Sequence, residues 1–248
     1  MRGFARSLRY TLLAVVALMV TALTPLSAEA AVPPAPVVGS CYSYGWATFN
    51  SWSDTSTPVP CAGAHTARAV FVGRLWTNEP YSTLLSDAKM AGYMAAQCQA
   101  PFQRAIGTWK TVSVAGYQMS TYYPTQAQYT AGARWFRCDI TLPGVNNLYP
   151  IPNRTPEAVP LSPGQSRCIH LNSQGGVAVA CAAPHSYRAA GAIAYPGTAY
   201  PSRTAWVAFA KAHCSAYTRS PYWYATWASS IRWSAGDHYL TCYRATTA

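Results

Sequence analysis

Two histidines stand at matching places in this chain. His65 closes Cys61-Ala-Gly-Ala-His65, and His185 closes Cys181-Ala-Ala-Pro-His185. An imidazole titrates near neutrality and binds metals through either ring nitrogen, so a repeated His invites a general base or a ligand. Either role needs helpers. A zinc site takes three or four His, Cys or carboxylate ligands, and none gather around these two in sequence. The reading adopted is a structural His bonded to backbone beside a disulfide. His170, His213 and His238 lie in the second half without counterparts and read as surface or packing residues. Beyond residue 30 the carboxylates are Asp54, Glu79, Asp87, Asp139, Glu157 and Asp237. None recurs at an equivalent place, and glycoside hydrolysis needs a pair across the bond. No Gly-x-Ser-x-Gly elbow is present. These residues point away from an enzyme, and no metal or cofactor is expected.

Aromatic residues are the stronger signal. Trp46, Trp52, Trp76, Trp109, Tyr117, Tyr122 and Tyr123 lie in the first half, and Tyr222, Trp223, Tyr224, Trp227 and Trp233 crowd the second. Rings that stack and carry a polar tip, set among arginines, suit sugar or protein contacts. Neighbours on a strand face opposite ways, so Tyr222-Trp223-Tyr224 resists complete burial. With Trp227, Arg219 and Arg232 it forms the expected binding patch. Trp135 and Tyr239 are expected in the core.

The elements that position these residues are set out by eight cysteines. Cys41, Cys61, Cys98 and Cys138 form one set, and Cys168, Cys181, Cys214 and Cys242 a second with the same surroundings. A strand follows each Cys-x-x-x-His, at Ala67–Gly73 and Tyr187–Ala194. A helix follows, with Ala91, Met94 and Cys98, or Val207, Ala210 and Cys214, along its buried stripe. Pro101 is expected to kink or end the first helix early. A short capped turn precedes each last strand. Thr125-x-x-Gln128 is a capping-box pattern, Ser229 holds its place in the second half, and Gly132 and Gly236 end the turns in a left-handed conformation. Four cysteines allow three pairings. Placing the first two on early neighbouring strands, the third on the helix and the fourth on the last strand favours Cys41–Cys61, Cys98–Cys138, Cys168–Cys181 and Cys214–Cys242. The fold class expected is α+β: two tandem disulfide-stapled modules, each a small antiparallel sheet packed against a helix.

Residues 1–30 read as a signal peptide: Arg2, Arg6 and Arg9, an apolar run from Thr11 to Leu23, and Ala28-Glu29-Ala30 as a small-x-small site. An uncleaved signal is the only membrane attachment expected. The full chain carries +11. Removing Arg2, Arg6, Arg9 and Glu29 leaves 15 basic and 6 acidic residues, a net charge of +9. Such a surface meets acidic polymers. The charges form no run, so nucleic acid is not an expected partner. Pro143, Pro150, Pro152, Pro156, Pro160 and Pro163 mark an extended stretch. The division expected is a Pro-rich spacer at 31–38, one module at 39–142, a Pro-rich linker at 143–162 and a second module at 163–248.

The order of these motifs resembles the septum formation domain family of actinobacterial envelope proteins. Gly39-Ser40-Cys41, Val59-Pro60-Cys61, His65, Cys98, Tyr123-Pro124-Thr125 and Gly132-Ala133-Arg134 to Cys138 follow its pattern, and Cys168, Cys181, Pro184-His185, Cys214 and Gly236 to Cys242 follow it again. Three features depart from it. Family members commonly carry Glu three residues past the His, where this chain has Arg68 and Arg188. The first half lacks Pro before His65, and the second has Trp227-Ala228-Ser229 for Tyr-Pro-Thr. The resemblance implies an envelope role near the division septum. The function expected is a secreted or envelope-associated, non-enzymatic binding protein whose partner is an envelope protein or an acidic cell-wall polymer. The alternatives are a wall hydrolase or other envelope enzyme using His65 or His185, and a passive structural protein.

Overall fold

The computed structural model describes residues 32–154 and 156–246; the expected signal peptide lies outside them. Within this part the two cysteine sets share one compact unit. The first half runs β1 (Cys41–Tyr42), α1 (Trp46–Phe49), β2 (Ala67–Arg74), α2 (Tyr81–Ser86), α3 (Ala88–Ile106), α4 (Trp109–Val114), β3 (Gln118–Tyr122), α5 (Gln126–Thr130), β4 (Trp135–Pro143) and β5 (Leu148–Tyr149). The second runs β6 (Arg167–Asn172), β7 (Gly175–Ala180), β8 (Tyr187–Ala194), α6 (Arg203–Thr218), β9 (Trp223–Trp227), α7 (Ser230–Ser234) and β10 (Tyr239–Ala245). The sheets are ordered β1-β2-β4-β3, with β5 on β4, and β7-β6-β8-β10-β9, every named pair antiparallel.

The halves share fine detail. Each has a register shift that leaves one extra residue nine positions past the Cys of its Cys-x-x-x-His: Val70 between β2 and β4, and Ala190 between β8 and β10. Such a bulge bends a strand and sharpens its twist. Gly132 and Gly236 both have φ +98°, the left-handed region a side chain would strain. Thr125 and Gln128 form the capping box of α5, and Ser229 Oγ accepts from Arg232 N at α7.

One face of each sheet carries the long helix, α3 or α6, and the disulfide from it to the last strand. The bonds are Cys41–Cys61, Cys98–Cys138, Cys168–Cys181 and Cys214–Cys242. The stripe differs from the expected one. Met90, Met94, Cys98 and Phe102 are buried on α3, and Trp206, Ala210 and Cys214 on α6; Ala91 and Val207 are exposed. Bulky Met90 and Trp206 turn the helix toward their own side, because they remove more apolar area from water than Ala or Val. Helix α3 also continues through Pro101 to Ile106. Burial of Phe102, Ala105 and Ile106 beyond the proline offsets the hydrogen bond it cannot donate.

The other faces differ. In the second half, α4 of the first half packs across β8 and β10. Trp109 Nε1 donates to the Ala235 carbonyl at 3.1 Å, and Thr241 Oγ1 to the Ser113 carbonyl at 3.0 Å. The proline-rich stretch 143–162 buries Ile151, Glu157 and Ala158. Ile151 and Ala158 join Phe102, Val112, Ile140 and Ala180 in a core that crosses from one half to the other.

Candidate functional site

The two histidines are held by their own loops. His65 Nδ1 lies 2.9 Å from the Gly63 carbonyl and His185 Nδ1 2.8 Å from the Ala183 carbonyl. A carbonyl only accepts, so Nδ1 carries the proton in both. His65 is buried, and its Nε2 has no hydrogen-bond partner among the described residues. A base must reach the proton it removes; this nitrogen does not reach the surface. His185 lies with Cys168 and Cys181 inside a 4.8 Å group of potential ligand atoms. Those two sulfurs are bonded to each other, so neither is the thiolate that a metal requires.

The aromatic patch is split by strand geometry. Strand β9 is a sheet edge. Trp223 and Trp227 turn toward α6, where Trp227 stacks on Trp206 with ring centres 6.0 Å apart. Tyr224 faces the other way, against Tyr187 and Tyr243. Tyr222 precedes the strand and is 77 % exposed, and Arg219 is exposed at the end of α6, at φ 56°. Arg232 stands apart from Tyr222, Trp223 and Trp227, on the side of the sheet that Tyr224 faces. It forms an ion pair with buried Asp237 and lies 5.9 Å from the Trp109 ring, between the halves. The sequence distance from Tyr222 to Arg232 hides this, because α7 carries Arg232 round to the other side of the sheet from α6.

A polar cluster missed in sequence lies on β4. Arg137 and Asp139 are two residues apart, so they share the face opposite Phe136, Cys138 and Ile140. Arg137 Nε donates to Asp139 Oδ1 at 2.8 Å, and one terminal nitrogen reaches Asp139 Oδ2 at 2.7 Å and Asp54 Oδ2 at 2.6 Å. Tyr44 Oη donates to Asp139 Oδ2 at 3.1 Å. The guanidinium carbon sits 3.8 Å from the Tyr42 ring centre and 5.1 Å from that of Tyr122, within cation–π range. One guanidinium serves two carboxylates, so the buried group is short of positive charge. Burial pushes Asp139 up to about 6, against the pull of Arg137 and the Tyr44 hydroxyl. Burial works against the Arg137 charge as well, yet Asp139 and Asp54 hold its pKa above the ordinary value. Arg137-x-Asp139 at strand spacing was the available signal. Thr241 and Tyr243 stand at the same offsets from Cys242.

Arg68 ends a second buried pair. Its terminal nitrogen lies 2.6 Å from Glu157 Oε1. Its counterpart Arg188 instead donates to the Pro163 carbonyl at 3.0 Å. Burial raises Glu157 to about 7, with Arg68 and Arg154 opposing.

The distribution of charge follows. Asp54, Asp139, Glu157 and Asp237 are buried, and only Glu79 and Asp87 of the described carboxylates reach the surface. Asp87 is occupied as the N-cap of α3, accepting from Lys89 N at 2.8 Å. Arg74, Lys89, Arg104 and Lys110 are exposed in the first half, and Arg203, Lys211, Arg219 and Arg244 in the second. The surface is therefore more one-sidedly basic than net charge alone indicates.

The septum formation family model matches residues 39–242 in a single span, and the chain belongs to that family. No curated protein and no solved structure matches it. The four disulfides fit an oxidising, extracytoplasmic compartment, and no helix among the described residues is long and apolar enough to cross a membrane.

Proposed function

We propose that this septum formation protein is a secreted, envelope-associated binding protein, without catalysis of its own, that holds an acidic cell-wall polymer. Its two halves are read as tandem copies of one ancestral module. The observation that carries the reading is the segregation of charge. Four carboxylates are consumed in buried contacts while eight lysines and arginines stand exposed on both halves. A distributed cationic surface suits a polyanion with repeating charge better than one compact partner, and its attraction is screened by salt. The enzyme alternative is disfavoured because His65 Nε2 is enclosed and the His185 sulfur neighbours are oxidised.

A second reading has its own support. Edge strand β9, with exposed Tyr222 beside it, offers an aromatic margin for an envelope protein.

The test is retention of the secreted, oxidised protein on purified cell wall at low and high salt. Retention at low salt that is lost at high salt is expected. Absence of retention, or retention indifferent to salt, refutes the polymer reading. Salt-resistant capture of one defined envelope protein that fails in Tyr222→Ala supports the second.

A further inference from the structure

Between the halves lies an open cleft of about 520 Å³. Its volume falls in the range of small-molecule sites, roughly 300–1,000 Å³. Arg167 and Arg232 line one part, and Phe102, Tyr117, Met119 and Val177 supply rings and apolar walls. It is a different place from the exposed lysines and arginines of the surface.

The charges in the cleft are out of balance. Arg232 is paired with Asp237. Arg167 takes part in no ion pair among the described residues; its Nε donates to the Ala115 carbonyl at 2.9 Å. Two guanidiniums therefore share one carboxylate. Arg232 Nε is buried and has no hydrogen-bond partner among the described residues. Burial first, then repulsion from Arg167, brings the Arg232 pKa below the usual arginine value. An anion entering the cleft relieves this repulsion and accepts charge-assisted hydrogen bonds from the terminal nitrogens of Arg167, whose one hydrogen bond among the described residues is made by Nε.

We propose that the cleft binds an amphiphilic anion, its carboxylate or phosphate head at Arg167 and Arg232 and its apolar part against Phe102, Met119 and Val177. Fatty carboxylates and lipid phosphates share this chemistry. The arrangement depends on both halves, because Phe102, Tyr117 and Met119 come from the first and both arginines and Val177 from the second. No such site arises from either half alone.

The experiment is calorimetric titration of the mature, oxidised protein with octanoate, octyl phosphate and the neutral control octanol. Saturable one-to-one binding of at least one anion, and none of octanol, is expected. Tighter octyl phosphate points to a lipid phosphate, and tighter octanoate to a fatty carboxylate. Arg167→Gln should weaken binding on the order of tenfold or more, while Arg219→Gln, at an exposed site outside the cleft, should leave it unchanged. Val177 is 43 % exposed, so Val177→Glu should fold normally and abolish anion binding by placing a like charge at the cleft. Failure of both anions to bind, equal binding of octanol, or wild-type affinity in folded Arg167→Gln and Val177→Glu overturns the proposal.

Discussion

The buried Glu157 makes a sharp statement about pH. Its side chain is 0 % exposed and faces Arg68 at 2.6 Å. A surface carboxylate beside an arginine titrates below its ordinary value; here burial outweighs the ion pair and raises Glu157 from 4.5 to about 7. Between those values the folded chain holds a proton that the unfolded chain has released. Stability from this group is therefore fully present below about pH 4.5 and is lost as pH rises through about 7. That rise corresponds to about 3 kcal/mol, or roughly 6–12 °C in Tm for a chain of this size. Asp139, raised to about 6 by burial, acts in the same sense over a lower window. The assay is thermal or denaturant unfolding of the oxidised protein at several pH values between 4.5 and 8, run beside Glu157→Gln. Glutamine does not titrate, so the stability of wild type relative to the variant should grow by about 3 kcal/mol from pH 8 to pH 4.5. A difference that stays flat, or that shrinks on acidification, refutes the claim that burial dominates the Arg68 pair.

Further outcomes follow from packing and covalent structure. Cys98→Ala with Cys138→Ala should cost about 2–5 kcal/mol, read as a lower denaturant midpoint, because the bond joins α3 to the central strand beneath a buried core. Trp109→Ala should cost about 2–3 kcal/mol, below the range of a fully buried Trp because Trp109 is half-buried; calorimetry should show one transition moving as a whole, since Trp109 ties α4 to the loop at Ala235. Gly236→Ala should destabilise by about 1 kcal/mol or more, as a Cβ there meets Trp109 Nε1 at 3.2 Å in addition to the strain of φ +98°.

The legible parts of the fold were those set by short-range rules. Cysteine placement on strand and helix led to the four bonds, Tyr187–Ala194 was bounded by turn residues on both sides, and the Thr125 capping box is local chemistry. On each long helix Met94 and Cys98, or Ala210 and Cys214, are buried as expected, and only the first stripe residue differs, Met90 for Ala91 and Trp206 for Val207, since periodicity does not weigh a Trp or Met against an Ala. Hairpin strand β7, Gly175–Ala180, was not anticipated; its glycines and alanines are poor strand formers alone and are ordered by pairing with β6. The charge clusters escaped because their members are distant: Asp54 lies 83 residues from Arg137, and Arg68 is paired with a glutamate inside the proline-rich stretch. The place of Arg232 was lost for the same reason. A sequence shows that an arginine is near aromatics along the chain, but not which side of a sheet it ends on.

The same pattern of cysteines, strands and helices therefore supports two different electrostatic interiors, and the reason is what covers each sheet. The face of β4 opposite α3 is closed by short elements of its own half. Tyr42, Tyr44 and Tyr122 surround an Arg–Asp cluster there, the Tyr44 hydroxyl donating to Asp139 and the Tyr42 and Tyr122 rings lying against the guanidinium. The corresponding face of β10 is closed by α4, a neighbouring helix, so it carries Thr241 and Tyr243 instead of charges. A buried ion cluster facing another element needs every polar atom matched across the contact; a threonine needs one bond. With the second half's covering supplied by the first, separation exposes that face, and the cleft holding Arg167 and Arg232 loses its wall. Any function that needs the cleft thus selects for the joined chain, whereas a charge-driven hold on an acidic polymer needs only that the arginines stay outside and the carboxylates stay within. The two activities place separate demands on one fold, and substitutions at Arg167 and at the exposed arginines should separate them.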